Sequence, residues 1–211
     1  MKREHSLLFA TFLFVAMLAG CCFEHSENHH EVPPYAYSMV PYDTGSTFRM
    51  RDTSGFINTF RYVSAGIEDE QMASCGNCCE DNYSQRFHLH MRGGSPSVDL
   101  EFGLLQEGWG AQSVHDPTVF SLRFDEVVEY RWTRYLSEGG GQCWDDPSTG
   151  VSCQFNLVVA GVTYDTLYQF TRSEWLGGIS QEDNPVNMWY STKVGLVKYT
   201  TGMGNTWELV P

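Results

Sequence analysis

Residues 85–104 read Gln85-Arg86-Phe87-His88-Leu89-His90-Met91-Arg92-Gly93-Gly94-Ser95-Pro96-Ser97-Val98-Asp99-Leu100-Glu101-Phe102-Gly103-Leu104. Side chains of a strand point to alternate faces, so Phe87, Leu89 and Met91 share one face and His88, His90 and Arg92 the other. After a four-residue loop, Gly94 to Ser97, the return strand sets Val98, Leu100, Phe102 and Leu104 against Asp99 and Glu101. Opposing Met91 to Leu100 keeps both apolar sets on one face, and a slip of one residue would expose them all. That register also opposes Arg92 to Asp99 and His90 to Glu101, which accounts for these four residues as cross-strand ion pairs on a solvated face.

The same period of two recurs outward in both directions. Upstream, Phe48 and Met50 alternate with Arg49 and Arg51, a turn covers residues 52–55, and a strand follows over 56–63. Downstream, residues 119–124 and 127–133 alternate as one bent strand or two. Residues 154–159 turn at Ala160-Gly161 into 162–170. The end holds strands over 188–191 and 193–199, a Gly-Met-Gly-Asn turn at 202–205, and a strand over 206–210. No run has a convincing helical period. About ten short strands at this spacing predict an all-β fold, a single antiparallel β-sandwich or barrel-like domain over residues 35–211. Residues 176–185 and 68–83 read as loops, the second holding three Cys, and no internal repeat or second domain boundary is visible.

The chain has 211 residues, with 42% apolar content, 20 Gly and 8 Pro, which suits one packed, turn-rich domain. Its 26 acidic and 13 basic side chains give a formal charge of −13. No cluster of Lys and Arg appears along the sequence, so nucleic acid is not an expected partner.

The first residues carry an address. Lys2 and Arg3 precede an uncharged stretch from Leu7 to Ala19, the pattern of a secretory signal over residues 1–20 and too short to span a bilayer comfortably. It ends in Leu18-Ala19-Gly20-Cys21, which resembles the lipobox of bacterial lipoproteins. The resemblance implies cleavage before Cys21, a diacylglyceryl group on its thiol and, usually, acylation of the new amino terminus. Burial of acyl chains at roughly 0.8 kcal/mol per CH₂ would then hold the protein on a membrane. Cys22 is a non-acidic residue after the anchor, which in such lipoproteins is compatible with outer-membrane sorting in a Gram-negative envelope. Residues 21–34 are polar and aperiodic and read as a flexible tether. Cleavage would remove Lys2, Arg3 and Glu4 and leave 11 basic against 25 acidic residues.

The C-terminal stretch carries a second resemblance. Tyr164-Asp165-Thr166-Leu167-Tyr168-Gln169-Phe170, then Trp189-Tyr190-Ser191, Gly195-Leu196-Val197-Lys198-Tyr199 and Gly204-Asn205-Thr206-Trp207-Glu208-Leu209, is similar to the ending of a group of uncharacterised Gram-negative envelope lipoproteins. In them these segments form a β-meander. The resemblance implies the β fold and the lipoprotein address, and no catalytic residue.

With Cys21 lipidated, six Cys remain in a compartment that favours disulfides. Cys143 and Cys153 flank a turn-forming stretch and are the best pairing, a short loop whose closure would contribute about 2–3 kcal/mol. Cys75, Cys78 and Cys79 are further candidates, most simply one local bridge plus a Cys reaching elsewhere. Redox chemistry there would want a helix N-terminus after the Cys pair, and zinc a second ligand pair. His88 and His90 are candidate metal ligands, against which the cross-strand ion pairs are the simpler account. Asp43-Thr44-Gly45-Ser46 spells an aspartic-protease motif, but that chemistry needs two carboxylates and only one copy is present, so a turn is expected. Acid pairs such as Glu126 and Glu129, or Asp145 and Asp146, are compatible with glycoside hydrolysis without pointing to it. Trp109, Trp144 and Trp175 lie in Gly- and acid-rich stretches and are candidate sugar-stacking residues. The expected protein is therefore a lipid-anchored, non-enzymatic binding or structural module of the envelope, with a glycan or an envelope protein as partner; the alternative is a glycan-binding protein or glycan-acting hydrolase. No cofactor, metal or oligomer is indicated.

Overall fold

The computed structural model describes residues 26–71, 80–94, 97–106, 118–124, 128–134, 151–171 and 185–211, with backbone alone for Ser26, Asn28, 80–82, 118 and 128–134. The fold is all β: twelve strands among the described residues and one short 3-10 helix, Pro34–Met39. The strands are β1 (Ser26–His30), β2 (Thr47–Asp52), β3 (Ile57–Gln71), β4 (Glu80–Gly94), β5 (Ser97–Gln106), β6 (Thr118–Phe124), β7 (Val128–Arg134), β8 (Val151–Val159), β9 (Val162–Thr171), β10 (Pro185–Ser191), β11 (Gly195–Thr201) and β12 (Thr206–Leu209).

All belong to one sheet in the order β7-β6-β5-β4-β3-β2-β12-β11-β10-β9-β8, with β1 paired in parallel to β4 off this path. Two antiparallel meanders, β2–β7 and β8–β12, are thus stitched together where β2 meets β12, and Val210 N donates to Arg49 O at 2.8 Å beside that seam. The sheet curls so that its two arms face each other. Phe120 of β6 packs on Tyr190 of β10 with centroids 4.9 Å apart, and Phe124 meets Tyr199 of β11 at 5.4 Å. Between sandwich and barrel, the outcome is a barrel-like half-closed sheet, not two separate layers.

The register that decided the fold is present: Met91 opposes Leu100, Arg92 opposes Asp99 and His90 opposes Glu101. Pairing continues to Gly94 and Ser97, so two residues, not four, separate the strands. Leu89, Met91, Leu100, Phe102, Leu104, Phe120 and Leu122 are all buried on the inner face. Each such side chain contributes about 1.5–3 kcal/mol on leaving water.

Two expectations are corrected and one stated alternative is decided. The stretch 68–83 is not all loop, because β3 runs on to Gln71 and β4 begins at Glu80, a polar ribbon in the register Glu68–Arg86 and Glu70–Ser84 with β1 on the other side of β4. Of the two alternatives for 119–133, the two-strand one holds, with β6 (Thr118–Phe124) and β7 (Val128–Arg134) as separate strands. The tether is shorter than 21–34, since residues 26–30 are a strand, added to β4 through main-chain pairing that needs no apolar pattern.

Residues 32–42, where no period was visible, fill the inside of the curl. Val32, Ala36, Met39 and Val40 are buried. Tyr190 Oη donates to Met39 O, and Tyr42 Oη accepts from Leu196 N at 2.9 Å. Tyr42 packs on Phe48 and Phe102, and burial pushes its hydroxyl and that of Tyr190 up in pKa. Gly195 makes room: its φ is +84°, and a Cβ there would land on the Tyr42 ring.

Candidate functional site

The outer face of the same strands carries the charges. In register across β3 to β6 lie Ser64, His90, Glu101 and Arg123. β3 gains an extra residue here, since Tyr62 opposes Met91 and Ser64 opposes His90, leaving Val63 as a bulge whose side chain is 50% exposed. A bulge sharpens the local twist and re-aims its neighbours. Beside it is an open pocket of about 180 Å³, with Val63, Ser64, His90, Arg92, Glu101 and Arg123 among its lining residues.

The polar groups divide into one tight pair and one loose cluster. Arg92 Nε donates to Asp99 Oδ1 at 2.6 Å and Nη2 to Oδ2 at 3.2 Å, a two-pronged contact on exposed side chains that raises the Arg92 pKa. Glu101 is the most enclosed carboxylate of the cluster, 15% exposed. It lies 3.4 Å from Arg123 Nη1, 3.5 Å from Arg86 Nη2 and 3.9 Å from His90 Nε2. Charge-assisted hydrogen bonds are usually 2.7–2.9 Å, so these two arginines and the histidine surround Glu101 without closing on it. The result is a site with both donors and acceptors, next to apolar Val63. Such a mixture matches hydroxyl groups, each of which donates and accepts.

His88, one step along the strand, lies against Gly66 of β3, where an added Cβ would fall 2.7 Å from Nε2. Its ring meets His90 at 5.4 Å, edge to face. Among the described residues no group of three or more His, Cys, Asp or Glu is placed to hold a metal ion.

Register shows a wider pattern. All six arginines whose side chains are described, Arg49, Arg51, Arg61, Arg86, Arg92 and Arg123, lie on this outer face, joined by Lys198 of β11. They are faced by Glu68, Glu70, Asp99, Glu101 and Glu208, so the seven cations still outnumber the five carboxylates there although the whole chain carries −13. The absence of a basic cluster holds only along the sequence. The consecutive strands of the β2–β6 meander lie side by side and bring together arginines that are spread along the sequence. Arg61 directly opposes Arg92, a like-charge placement that disfavours folding and is retained here. Arg49, Arg51 and Arg61 make no ion pair among the described residues.

The remaining sequence candidates fall in two groups. Asp43 and Ser46 form a turn, with Ser46 N donating to Asp43 O at 2.9 Å and Ser46 Oγ to Asp43 Oδ1 at 2.7 Å. Cys153 lies on β8 opposite Tyr168 and is disulfide-bonded. Cys21, Cys75, Cys78, Cys79 and Cys143, together with Trp109, Trp144 and Trp175 and the acid pairs at 126, 129, 145 and 146, lie outside the residues whose side chains are described. The arginine face was missed by sequence reading, although the exposed alternate positions 49, 51 and 61 were its signal.

No protein-family description, curated protein or solved structure matches this chain.

Proposed function

We propose that this chain is a cell-envelope lipoprotein, anchored through Cys21 to the outer membrane after removal of residues 1–20, whose β domain is a non-enzymatic binding module. One observation carries this reading: the pocket and Ser26, the first described residue, lie toward opposite ends of β4. The described chain starts at Ser26, which pairs with Glu80 at the beginning of β4, whereas Arg92 and the pocket are near its end. At roughly 3.3 Å per residue the separation is about 40 Å, so a lipid at residue 21 would hold the pocket away from the membrane. Among the described residues no helix is long and apolar enough to cross a membrane.

Glycan hydrolysis is the weaker reading. A general acid is normally a carboxyl in an apolar setting or beside another carboxylate. Asp99 is gripped by Arg92, and Glu101 is ringed by Arg86, Arg123 and His90. In this reading Cys143 is the disulfide partner of Cys153.

Two measurements test the proposal. Incorporation of a palmitate analogue should occur in the wild type and disappear in Cys21→Ala. The detergent-solubilised full chain should retain a glycan on an array without releasing product, and lose it in Glu101→Gln and Arg123→Gln. Equal labelling of Cys21→Ala refutes the anchor, and turnover of the bound glycan refutes the non-enzymatic reading.

A further inference from the structure

Resting on the binding-module reading, we propose that the outer face of β2–β6 takes an anionic polysaccharide, its carboxylate or phosphate groups held by Arg49, Arg51 and Arg61 and one sugar ring seated in the pocket at Val63. Unmatched positive charge is the first support. In a chain of net −13 the outer face holds both signs, with Glu68, Glu70, Asp99, Glu101 and Glu208 beside the arginines, yet the three arginines with no ion pair are contiguous across β2 and β3. An exposed guanidinium presents five donors in a planar fork that suits carboxylate and phosphate oxygens.

The second support is the shape beside them. Arg61 opposes Arg92, and Arg92 borders the pocket, so the unpaired arginines lead into a concavity lined by Ser64, His90, Glu101 and Arg123. Carboxylates in that concavity accept hydrogen bonds from sugar hydroxyls, whereas they would repel a continuous run of phosphates. A polymer with alternating anionic and hydroxyl-rich segments therefore fits both halves of the face. A nucleic acid or a flat lipid surface matches only the arginines.

The test uses the full-length protein in detergent with three immobilised polymers: polygalacturonate and a phosphomannan as carboxylate and phosphate sources, and neutral dextran. Duplex DNA serves as a competitor. The expected result is binding to one or both anionic polymers, weakened by added salt, and about tenfold weaker in the triple variant Arg49→Gln, Arg51→Gln, Arg61→Gln. All three side chains are exposed, and circular dichroism of the variant should overlay that of the wild type. Dextran binding equal to that of both anionic polymers, or a triple variant that binds as well as the wild type, overturns the inference while leaving the binding module standing. Equally strong binding of DNA overturns the polysaccharide assignment, as does failure to bind either anionic polymer. If the array also shows no glycan at all, the binding-module reading falls with it.

Discussion

Replacing Gly195 by Ala probes the packing of residues 32–42 against the sheet. Two costs arise. Gly195 sits at φ +84°, where an L side chain is disfavoured by about 1–2 kcal/mol. The new Cβ also lands on Tyr42, whose ring must move and give up the hydrogen bond from the buried Leu196 N, at about 1–3 kcal/mol. The expected loss is therefore about 2–5 kcal/mol, a large part of a typical domain's 5–15 kcal/mol. Gly161 supplies the control: its φ is +81° with nothing within 4 Å of the added Cβ, so Gly161→Ala should show only the conformational cost. Urea unfolding followed by tryptophan fluorescence would report both, at about 2–3 kcal/mol per molar urea for a domain of this size. Gly195→Ala should lower the midpoint by about 1–2 M, at least twice the shift of Gly161→Ala. Equal shifts in the two variants would refute the seating of Tyr42 against β11.

Phe120→Ala removes the ring that bridges the two arms of the sheet, at 4.9 Å from Tyr190 and 6.1 Å from Phe170, and should cost about 3–5 kcal/mol in the same urea assay. Arg92→Ala breaks a short but exposed pair with Asp99, so its effect on stability should stay below about 1 kcal/mol. The Asp52 carboxyl accepts from the Ser54 hydroxyl and from the backbone of Ser54 and Phe56, which holds its pKa below the ordinary 3.8. Its contribution to the turn is thus present above the ordinary value and lost as pH falls through the lowered one. The amide resonances of Ser54 and Phe56 should titrate below pH 3.8, and Asp52→Asn should abolish that titration. Non-reducing peptide mapping should recover Cys153 linked to Cys143, and a link to any other cysteine would overturn that pairing.

Period-two patterning made the central hairpin legible, because opposing Met91 to Leu100 sets Phe87, Leu89 and Met91 on one face with Leu100, Phe102 and Leu104 and a one-residue slip would not, while the Gly-Gly-Ser-Pro-Ser turn excludes longer slips. It could not show where strands stop when both faces are polar, as in the ribbon beyond Val63, since main-chain pairing there leaves no hydrophobic alternation. Residues 32–42 were opaque for a related reason. Their burial comes from lying inside the curl, and tertiary enclosure leaves no period in an irregular segment. The ion pairs Arg92–Asp99 and His90–Glu101 followed from register alone. Their convergence with Arg123 required β6 to be the next neighbour, and only Lys198 joins the arginine face through the β2–β12 seam.

Hydrogen exchange of the full-length protein with and without polygalacturonate tests the location of binding most directly. Protection is predicted in peptides covering residues 47–64 and 86–106, the strands that carry Arg49, Arg51, Arg61 and the pocket. Protection confined instead to peptides around Trp109, Trp144 and Trp175 would contradict the account and return binding to those tryptophans.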